Sequence, residues 1–505
     1  MMAFLTLTKK PVIPIRALTW VMLFTCTYVL YMLRINLSII LLAMVKSRST
    51  NSSTKAIPEC LLQNSNYSIG RNESSMGISP HIAVIEGVQY DWSPQLQGLI
   101  LGAYFWGFVV AGIPAAAIAE KYGPRKTVAI SFLVSTVMTL LGPLLSSIHP
   151  NLLIASRFVI GLFGAVTYPA IHCLISKWAP PSEKGKFISA TLGGSLGTVV
   201  TWPLLGNIIG NYGWEWAFYV TVIIAFVWMF AWLFLIRDTP QQHPWISDAE
   251  KEYIESSLAG TLSNKSRMPP YKSIALSVPA WALIVAQFGN LWGLFFLMTA
   301  GPNFMSTVLG FNIGHTGFMA AIPYLARMIA GFAFGSIGDL ILRKKWMSKT
   351  SIRKSFIILS HLLPGVLLLL QTFAGCHINW AVVILTLSLA SNGASTLTNL
   401  SNAQDLAPNF AGSLYGIANC VGSTTGFISP MIVGYLTAEH NGLHEWHKIF
   451  YIGALVYIAC GIFFIICGKG EIQPWNYHDD DKPSDAEASK NVGIENAAFE
   501  RSETK

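Results

Sequence analysis

Twelve long apolar stretches, separated by polar segments, limit what this chain can fold into. A helix of about 20 apolar residues crosses a hydrocarbon core about 30 Å thick. Hydrophobic residues make up 52% of the chain and the mean hydropathy is +0.49, which is more apolar surface than a soluble fold could bury. We therefore predict an all-α membrane protein whose twelve transmembrane helices begin near residues 17, 94, 126, 152, 188, 216, 279, 314, 354, 379, 411 and 446.

The distribution of lysine and arginine predicts the orientation of these helices. Cytoplasmic loops carry an excess of both residues, and an even number of spans places both termini on one side. With a cytoplasmic N-terminus, 25 of the 33 Lys and Arg residues fall in cytoplasmic segments, five fall on the opposite face and three fall inside spans. The formal net charge of +8 is therefore a topology signal that requires no nucleic-acid partner.

The polar loop between the first two spans, residues 46–93, is predicted to lie outside the cell or in a lumen. Three glycosylation sequons fall in this loop, in agreement with the charge rule: Asn51, Asn66 and Asn72. Cys60 and Cys376 both fall on this outer side and could form a disulfide, although two free thiols are the favoured interpretation.

Two repeated halves organise the chain. An acid followed by basic residues recurs after the second and eighth spans, at Glu120 with Arg125 and at Asp339 with Arg343, and we predict gating roles for Glu120, Arg125 and Asp339. Halves of six helices are typical of transporters that rock around a site near the bilayer midplane. The predicted segments are a tail (1–16), a first bundle (17–236), a cytoplasmic linker (237–278), a second bundle (279–468) and a disordered tail (469–505).

Three arginines fall within the predicted spans, and no acid falls at the middle of a span. Arg34 is too deep to reach water easily, so a cavity-facing role is favoured over hydrogen bonding to main-chain carbonyls. Arg157 could bind an anion or extend to the membrane surface. Arg327 could bind substrate or join the two bundles. Positive charge without buried carboxylates predicts a pathway for anions, because guanidinium groups bind carboxylate or phosphate well.

Several neutral polar residues are further candidates for the site. Asn290, Asn399 and Asn402 could contact substrate, although polar residues in spans also join helices together. His172 could take part in coupling, because it titrates near neutral pH, but a packed neutral histidine is the favoured alternative.

Other classes of function have little support in the sequence. Residues 193–197 fit the G-x-S-x-G pattern of a hydrolase nucleophile, but they lie inside an apolar span where no strand precedes them. The sequence contains no phosphate loop, metal-ligand cluster or dinucleotide fingerprint. We expect neither enzymatic activity nor a cofactor or bound metal.

Seven segments of the chain together are specific to one family of transporters: YMLRINLS, YDWSPQLQGLILGAYFWG, VTYPAIHCLISKWAPPSEKGK, YGWEWAFYV, DTPQQHPWISDAEKEYI, SNAQDLAP and GEIQPW. By these segments the chain resembles the anion transporters that comprise sodium/phosphate cotransporters, sialin and vesicular glutamate transporters, within the major facilitator superfamily. The resemblance implies the major facilitator fold and small anionic substrates coupled to sodium, protons or membrane potential. It also implies anion-site roles for Arg34 and Arg157 and structural or gating roles for Asn402, Asp405 and Glu183.

Departures from the family pattern bear on the subtype. Gly164 stands where sialin and the vesicular glutamate transporters carry a glutamate tied to proton coupling, so sialin-like proton symport is disfavoured. Leu101 replaces a histidine of the vesicular glutamate transporters, and Asn290 lies near their seventh-helix arginine, which disfavours glutamate loading. Sodium-linked transport of phosphate or an organic anion is the favoured subtype.

The leading hypothesis is therefore a secondary active anion transporter that works by alternating access with sodium or protons as the coupling ion. A non-transporting receptor with the same fold and a channel-like anion conductance are the alternatives. We expect a monomer surrounded by lipid. The plasma membrane is favoured over endolysosomal or vesicular membranes, because neither tail carries an acidic dileucine signal.

Overall fold

The computed structural model describes residues 14–46, 59–60, 88–112, 114–180, 183, 187, 189–258 and 269–476. The predicted glycosylation sites Asn51, Asn66 and Asn72 lie outside these residues. The side chains of the predicted gating acids Glu120 and Asp339 also lie outside the described part.

Long apolar helices dominate the described part of the chain. Eleven are long and apolar enough to cross a membrane, and a bent pair of helices supplies a twelfth span. The predicted all-α fold with twelve spans is thereby confirmed. In chain order the spans are α1 (Ile15–Met44), α2 (Pro94–Gly112), α3 (Pro124–Leu140 and Gly142–Ile148, bent by 47°), α4 (Pro150–Trp178), α5 (Ala190–Tyr212), α6 (Trp214–Leu235), α7 (Val278–Val308), α8 (Ile313–Arg343), α9 (Lys349–Gln371), α10 (Ile378–Leu406), α11 (Ala411–Leu436) and α12 (Leu443–Cys467).

Local residue chemistry explains where several spans begin. Gly213, with φ of 90°, separates α5 from α6, and glycine adopts this conformation without steric cost. The hydroxyl of Ser348 accepts a hydrogen bond from the Ser351 amide, so α9 begins at Lys349 instead of near residue 354 as expected. Hydropathy alone missed this start because the first turn of α9 is polar and basic.

The spans form two halves, α1–α6 and α7–α12, that meet along three helix pairs: α1 with α7, α2 with α11, and α5 with α8. Close approach depends on glycine. A Cβ added to Gly98 of α2 would lie 2.4 Å from the carbonyl oxygen of Pro430 in α11, and one added to Gly317 of α8 would lie 2.3 Å from that of Trp202 in α5. Small residues therefore allow the backbones of the two halves to touch.

The two ends of the bundle differ in their contacts. At the end that we call the disulfide face, Cys60 in the α1–α2 loop is bonded to Cys376 between α9 and α10. This bond contradicts the expectation of two free thiols, and it joins one half to the other. Beside it, Glu59 accepts a hydrogen bond of 2.8 Å from the amide of Leu443 at the start of α12.

The opposite end, which we call the terminal face, carries the start of α1 and the end of α12. Here the linker helix (Asp248–Leu258) docks on the first half, because the Glu250 carboxylate accepts hydrogen bonds from the amides of Ile15 and Arg16 at 3.1 and 3.0 Å. A carboxylate at a helix N-terminus satisfies amides that have no intrahelical partner. After α12, the amide of Gln473 donates to the carbonyl of Leu406, so part of the segment predicted as a disordered tail packs on the second half.

Two of the closest contacts between the halves lie near the disulfide face. Gly98 lies near the start of α2 and Gly317 near the start of α8, and both helices start at that face. Toward the terminal face, His172 of α4 is exposed, and a Cβ added to Gly412 or Gly416 of α11 would meet nothing within 4 Å. The surroundings of these three residues are therefore less crowded than those of Gly98 and Gly317.

Candidate functional site

Arg34 lies in the interior of α1, ten residues before the last residue of the helix and therefore about 15 Å from its end. Its side chain is 7% exposed, and its Nε and Nη2 atoms have no hydrogen-bond partner among the described residues. Five aromatic rings lie within 5.4 Å of the guanidinium carbon: Tyr31, Tyr104, Phe105, Phe108 and Phe295. The cation is thus stabilised by ring faces and keeps donors free.

Arg157 of α4 is bound to the backbone of α1. Its Nη1 donates to the carbonyl oxygen of Leu33 at 3.1 Å and contacts the side chain of Asn36 at 3.4 Å, while Nη2 donates to the carbonyl of Arg34 at 2.6 Å. Its side chain is 4% exposed, so extension to the membrane surface does not describe this conformation. Arg157 therefore fixes the backbone from which Arg34 projects, and its Nε atom has no partner among the described residues.

Tyr104 of α2 lies between the two arginines. Its ring centroid is 5.1 Å from the guanidinium carbon of Arg34 and 5.5 Å from that of Arg157. Its buried hydroxyl also has no hydrogen-bond partner in the described part of the chain. A Cβ at Gly164 would lie 2.8 Å from this hydroxyl, so glycine leaves the room that the Tyr104 hydroxyl occupies.

A small cavity with room for about one water molecule adjoins these groups. Its polar lining is supplied by both arginines and two hydroxyls whose donors are already used: Ser38 donates to Ile35, and Thr299 donates to Phe295. The cavity is lined by Arg34, Ile35, Ser38, Leu101, Phe105, Arg157, Met298 and Thr299. Both arginines therefore border a cavity of about one water molecule whose hydroxyls have already donated their protons.

Carboxylates are distant from this arrangement. No Asp or Glu occurs in the central turns of any span. Asp405, near the end of α10, pairs with Arg353 of α9 at 2.7 Å, which joins these helices at the terminal face. Among the described residues, no carboxylate forms an ion pair with the buried guanidinium groups of Arg34 and Arg157.

Arg327 of α8 contributes positive charge from the second half. Its Nε donates to the side-chain oxygen of Asn392 in α10 at 3.0 Å. The guanidinium is close enough to Tyr324 and Tyr415 to interact with both electrostatically. Tyr415 also interacts with Tyr31 of the first half, so Arg327 belongs to the same central region as the α1 site.

Amide side chains form a connected cluster in the second half. The Oε1 atom of Gln287 in α7 accepts from Asn399 at 2.7 Å and from Asn290 at 3.4 Å. Gln287 also donates to Tyr415 and Asn419 of α11, at 3.4 and 3.3 Å. Asn399 lies in a π-helical turn, Thr396–Leu400, a rare distortion that often occurs at functional sites. The cluster brings together two predicted site residues, and Asn290 Oδ1 has no partner among the described residues.

The other predicted residues lie toward the terminal face. The side-chain amide of Asn402 donates a hydrogen bond of 2.7 Å to the main-chain carbonyl of Lys469, which holds the segment after α12. The Arg125 amide donates to Asp238 at 2.8 Å, and Arg16 lies 3.7 Å from Glu183. These contacts lie within single halves, and the predicted gating roles of Arg125, Glu183 and Asp405 stay predictions.

His172 lies on the side of Arg34 that is nearer the terminal face. It follows one helical turn after Tyr168 on the same side of α4, and Tyr168 interacts electrostatically with Tyr31 of α1. The side chain of His172 is exposed. Its coupling role stays a prediction.

Sequence reasoning missed the aromatic residues around Arg34 and the amide Gln287. Tyr104 and Phe105 lie within a segment that carries the family resemblance. Their spacing in the sequence is the same whether the rings contact a cation or pack in the apolar core. Gln287 could have been found, because it is a second amide beside Asn290 in an apolar span, and a buried amide requires hydrogen-bond partners.

Twelve spans in two halves around a buried cationic site define a membrane carrier. Residues 23–430 match the family model of the Major Facilitator Superfamily, and the chain belongs to this family. It is 35% identical to human sialin over 457 residues, covering 90% of this chain and 89% of that protein. It is 33% identical to the mouse sodium-dependent phosphate transport protein 1 over 407 residues, covering 79% of this chain and 87% of that protein. The resemblance to these anion transporters is therefore confirmed.

Solved structures agree on the fold. The D-xylose-proton symporter superposes with a TM-score of 0.62 at 12% sequence identity, covering 90% of this chain and 98% of that one. At this identity the likeness concerns the arrangement of helices alone.

Proposed function

We propose that this protein is a secondary active transporter of a small organic or inorganic anion, with Arg34 as the principal anion-binding residue. One observation carries the proposal: buried donors on Arg34, Tyr104 and Arg157 lack hydrogen-bond partners among the described residues. A buried cation without a partner is strongly unfavourable, so the site is completed by a ligand that supplies negative charge and acceptor atoms.

The geometry of the free donors supports a carboxylate or phosphate group. Nε and Nη2 of a guanidinium lie along one edge and can bind two oxygens of an oxyanion side by side. Phe105 and Phe295, the two rings nearest the guanidinium carbon, carry no oxygen or nitrogen that could accept hydrogen bonds from this edge in place of a ligand. The names of the relatives, which include sialin and a sodium-dependent phosphate transport protein, support the same class of substrate.

We assign the terminal face to the cytoplasm and the disulfide face to the outside or a lumen. The basic residues of the predicted cytoplasmic segments support this orientation. The bond between Cys60 and Cys376 supports it independently, because disulfides persist in oxidising compartments and are rare in the cytosol.

We propose that the protein works by alternating access, and the contacts between the two halves support this mode. Contacts between the halves close the disulfide face, so exchange of the anion with that side requires the halves to separate at α2 with α11 and at α5 with α8. We propose a sodium or proton gradient as the driving force. The plasma membrane is the favoured location and a monomer the favoured state.

Uptake into liposomes containing the purified protein tests the proposal. Labelled phosphate, N-acetylneuraminate and L-glutamate are offered with sodium and proton gradients imposed separately. The proposal expects accumulation of at least one anion, its loss in Arg34→Gln, and normal transport in Arg237→Gln, which changes an arginine at the terminal face. Absence of uptake under every gradient, or undiminished uptake by Arg34→Gln, would contradict the proposal.

A further inference from the structure

The positive charge of Arg34 makes it energetically unfavourable for the carrier to change conformation without bound substrate. An alternating-access carrier passes through a state in which its site is closed to both sides. No carboxylate lies in the central turns of the spans, so the empty site would then seal off a cation without a counterion. Desolvation of the unpaired cation raises the free energy of the empty closed state. The anion-bound closed state has a lower free energy, because the anion neutralises the cation.

Phe295 adds a second obstacle, because it contacts Arg34 from the opposite half of the protein. The guanidinium carbon lies 4.3 Å from the ring centroid of Phe295 in α7 and 4.5 Å from that of Phe105 in α2. The two ring centroids are 4.8 Å apart. The cation of the first half is therefore held against an aromatic ring of the second half.

Phe105 extends this contact between the halves into a closure at the level of Arg34. A Cβ added to Gly426 of α11 would lie 2.0 Å from the Phe105 ring, so the ring packs directly on the α11 backbone. Phe105 and Phe295 are each 2% exposed. Separation of the halves at this level must break both the ring contact and the interaction of Phe295 with Arg34.

We propose that bound anion releases this closure and that the empty carrier returns slowly, so that the protein exchanges one anion for another faster than it performs net transport. The proposal rests on the anion-binding role of Arg34. An anion at the free edge of Arg34 neutralises the cation, which weakens its attraction to Phe295 and removes the desolvation cost of closure. Phe295 is then a positioning residue that links occupancy of the site to movement of the halves.

Exchange and net transport can be separated in liposomes containing the purified full-length protein. The probe is whichever of labelled phosphate, N-acetylneuraminate or L-glutamate the wild type accumulates. Initial uptake is measured into empty liposomes and into liposomes preloaded with the same unlabelled anion, with the membrane potential clamped. We expect preloading to increase the initial rate about tenfold, which corresponds to a barrier difference of the size of a desolvated cation–π interaction.

Two substitutions of Phe295 separate the effect of its aromatic ring from that of its size. Phe295→Leu retains an apolar side chain of similar size and removes the ring face, whereas Phe295→Tyr retains the face. We expect Phe295→Leu to raise uptake into empty liposomes several-fold and to reduce the stimulation by preloading, and Phe295→Tyr to behave like the wild type. Phe304→Leu serves as the packing control, because Phe304 is buried against Trp446 and Phe450 and makes no cation–π contact with Arg34.

Each outcome bears on a different claim. Equal uptake into empty and preloaded liposomes would overturn the exchange mode while leaving the anion transporter intact. No uptake of any probe under either condition would overturn the proposed function and the exchange mode together. Stimulation that persists unchanged in Phe295→Leu, with Phe304→Leu also unchanged, would exclude Phe295 as the linking residue.

Discussion

Arg157 donates a hydrogen bond of 2.6 Å from Nη2 to the main-chain carbonyl oxygen of Arg34. One arginine thus positions the helix segment that carries the other. The two residues look equivalent in the sequence, since both are lone cations in apolar spans, but only Arg34 keeps both Nε and an Nη group free. Their substitution should have different consequences.

Arg157→Lys should weaken anion binding without abolishing transport. A lysine ammonium keeps the charge but lacks the planar fork that reaches Leu33, Arg34 and Asn36 together. Loss of about one charge-assisted hydrogen bond predicts a roughly tenfold higher KM in the uptake assay. Arg237→Lys is the matched control, because Arg237 also donates to main-chain carbonyls but lies at the terminal face. An unchanged KM in Arg157→Lys would contradict the positioning role.

Arg34→Met should remove transport and make the protein more stable. The substitution replaces a buried, unneutralised cation with an apolar side chain of similar length among five aromatic rings. Replacement of buried charge by apolar groups stabilises proteins by about 1–4 kcal/mol in favourable cases. Thermal unfolding of the purified variant should therefore show a higher Tm than the wild type. A lower Tm would indicate that Arg34 serves structure and not binding.

The sequence predicted the twelve spans and the unbalanced charge, because hydropathy and charge are properties of single residues. It could not predict that Arg157 binds the α1 backbone, because every residue has a main-chain carbonyl and residue types do not indicate which carbonyl accepts a hydrogen bond. The ring of Phe295 lies far from Arg34 in the chain, and only the packing of α1 against α7 brings them together. The bond between Cys60 and Cys376 likewise depended on geometry between the two halves.

The disulfide predicts how many cysteine thiols can be alkylated before and after reduction. Five cysteines form no disulfide in the structure, namely Cys26, Cys173, Cys420, Cys460 and Cys467. Alkylation of the unfolded, unreduced protein should therefore add five labels by mass spectrometry, and reduction should raise the number to all seven cysteines. Cys376→Ser should give six labels without reduction, because Cys60 is then free. Seven labels before reduction would exclude the bond.

The ion pair between Asp405 and Arg353 should stabilise the second half. The Arg353 side chain is 5% exposed and that of Asp405 is 14% exposed, so removal of one partner leaves a nearly buried charge. Asp405→Asn should lower the stability by about 3–5 kcal/mol, seen as a lower Tm. The exchanged pair, Asp405→Arg with Arg353→Asp, should recover part of the loss if the interaction is electrostatic. Equal Tm values for Asp405→Asn and the wild type would indicate that the ion pair does not contribute to stability.

Direct binding of a labelled anion to purified protein tests the role of Arg34 most closely. Equilibrium binding of labelled phosphate, N-acetylneuraminate and L-glutamate is measured for the wild type, Arg34→Gln and Arg237→Gln, each verified as folded by its thermal unfolding. We predict that the wild type and Arg237→Gln bind at least one of these anions saturably, and that Arg34→Gln loses this binding. Unchanged affinity in folded Arg34→Gln would contradict the assignment of Arg34 as the anion-binding residue.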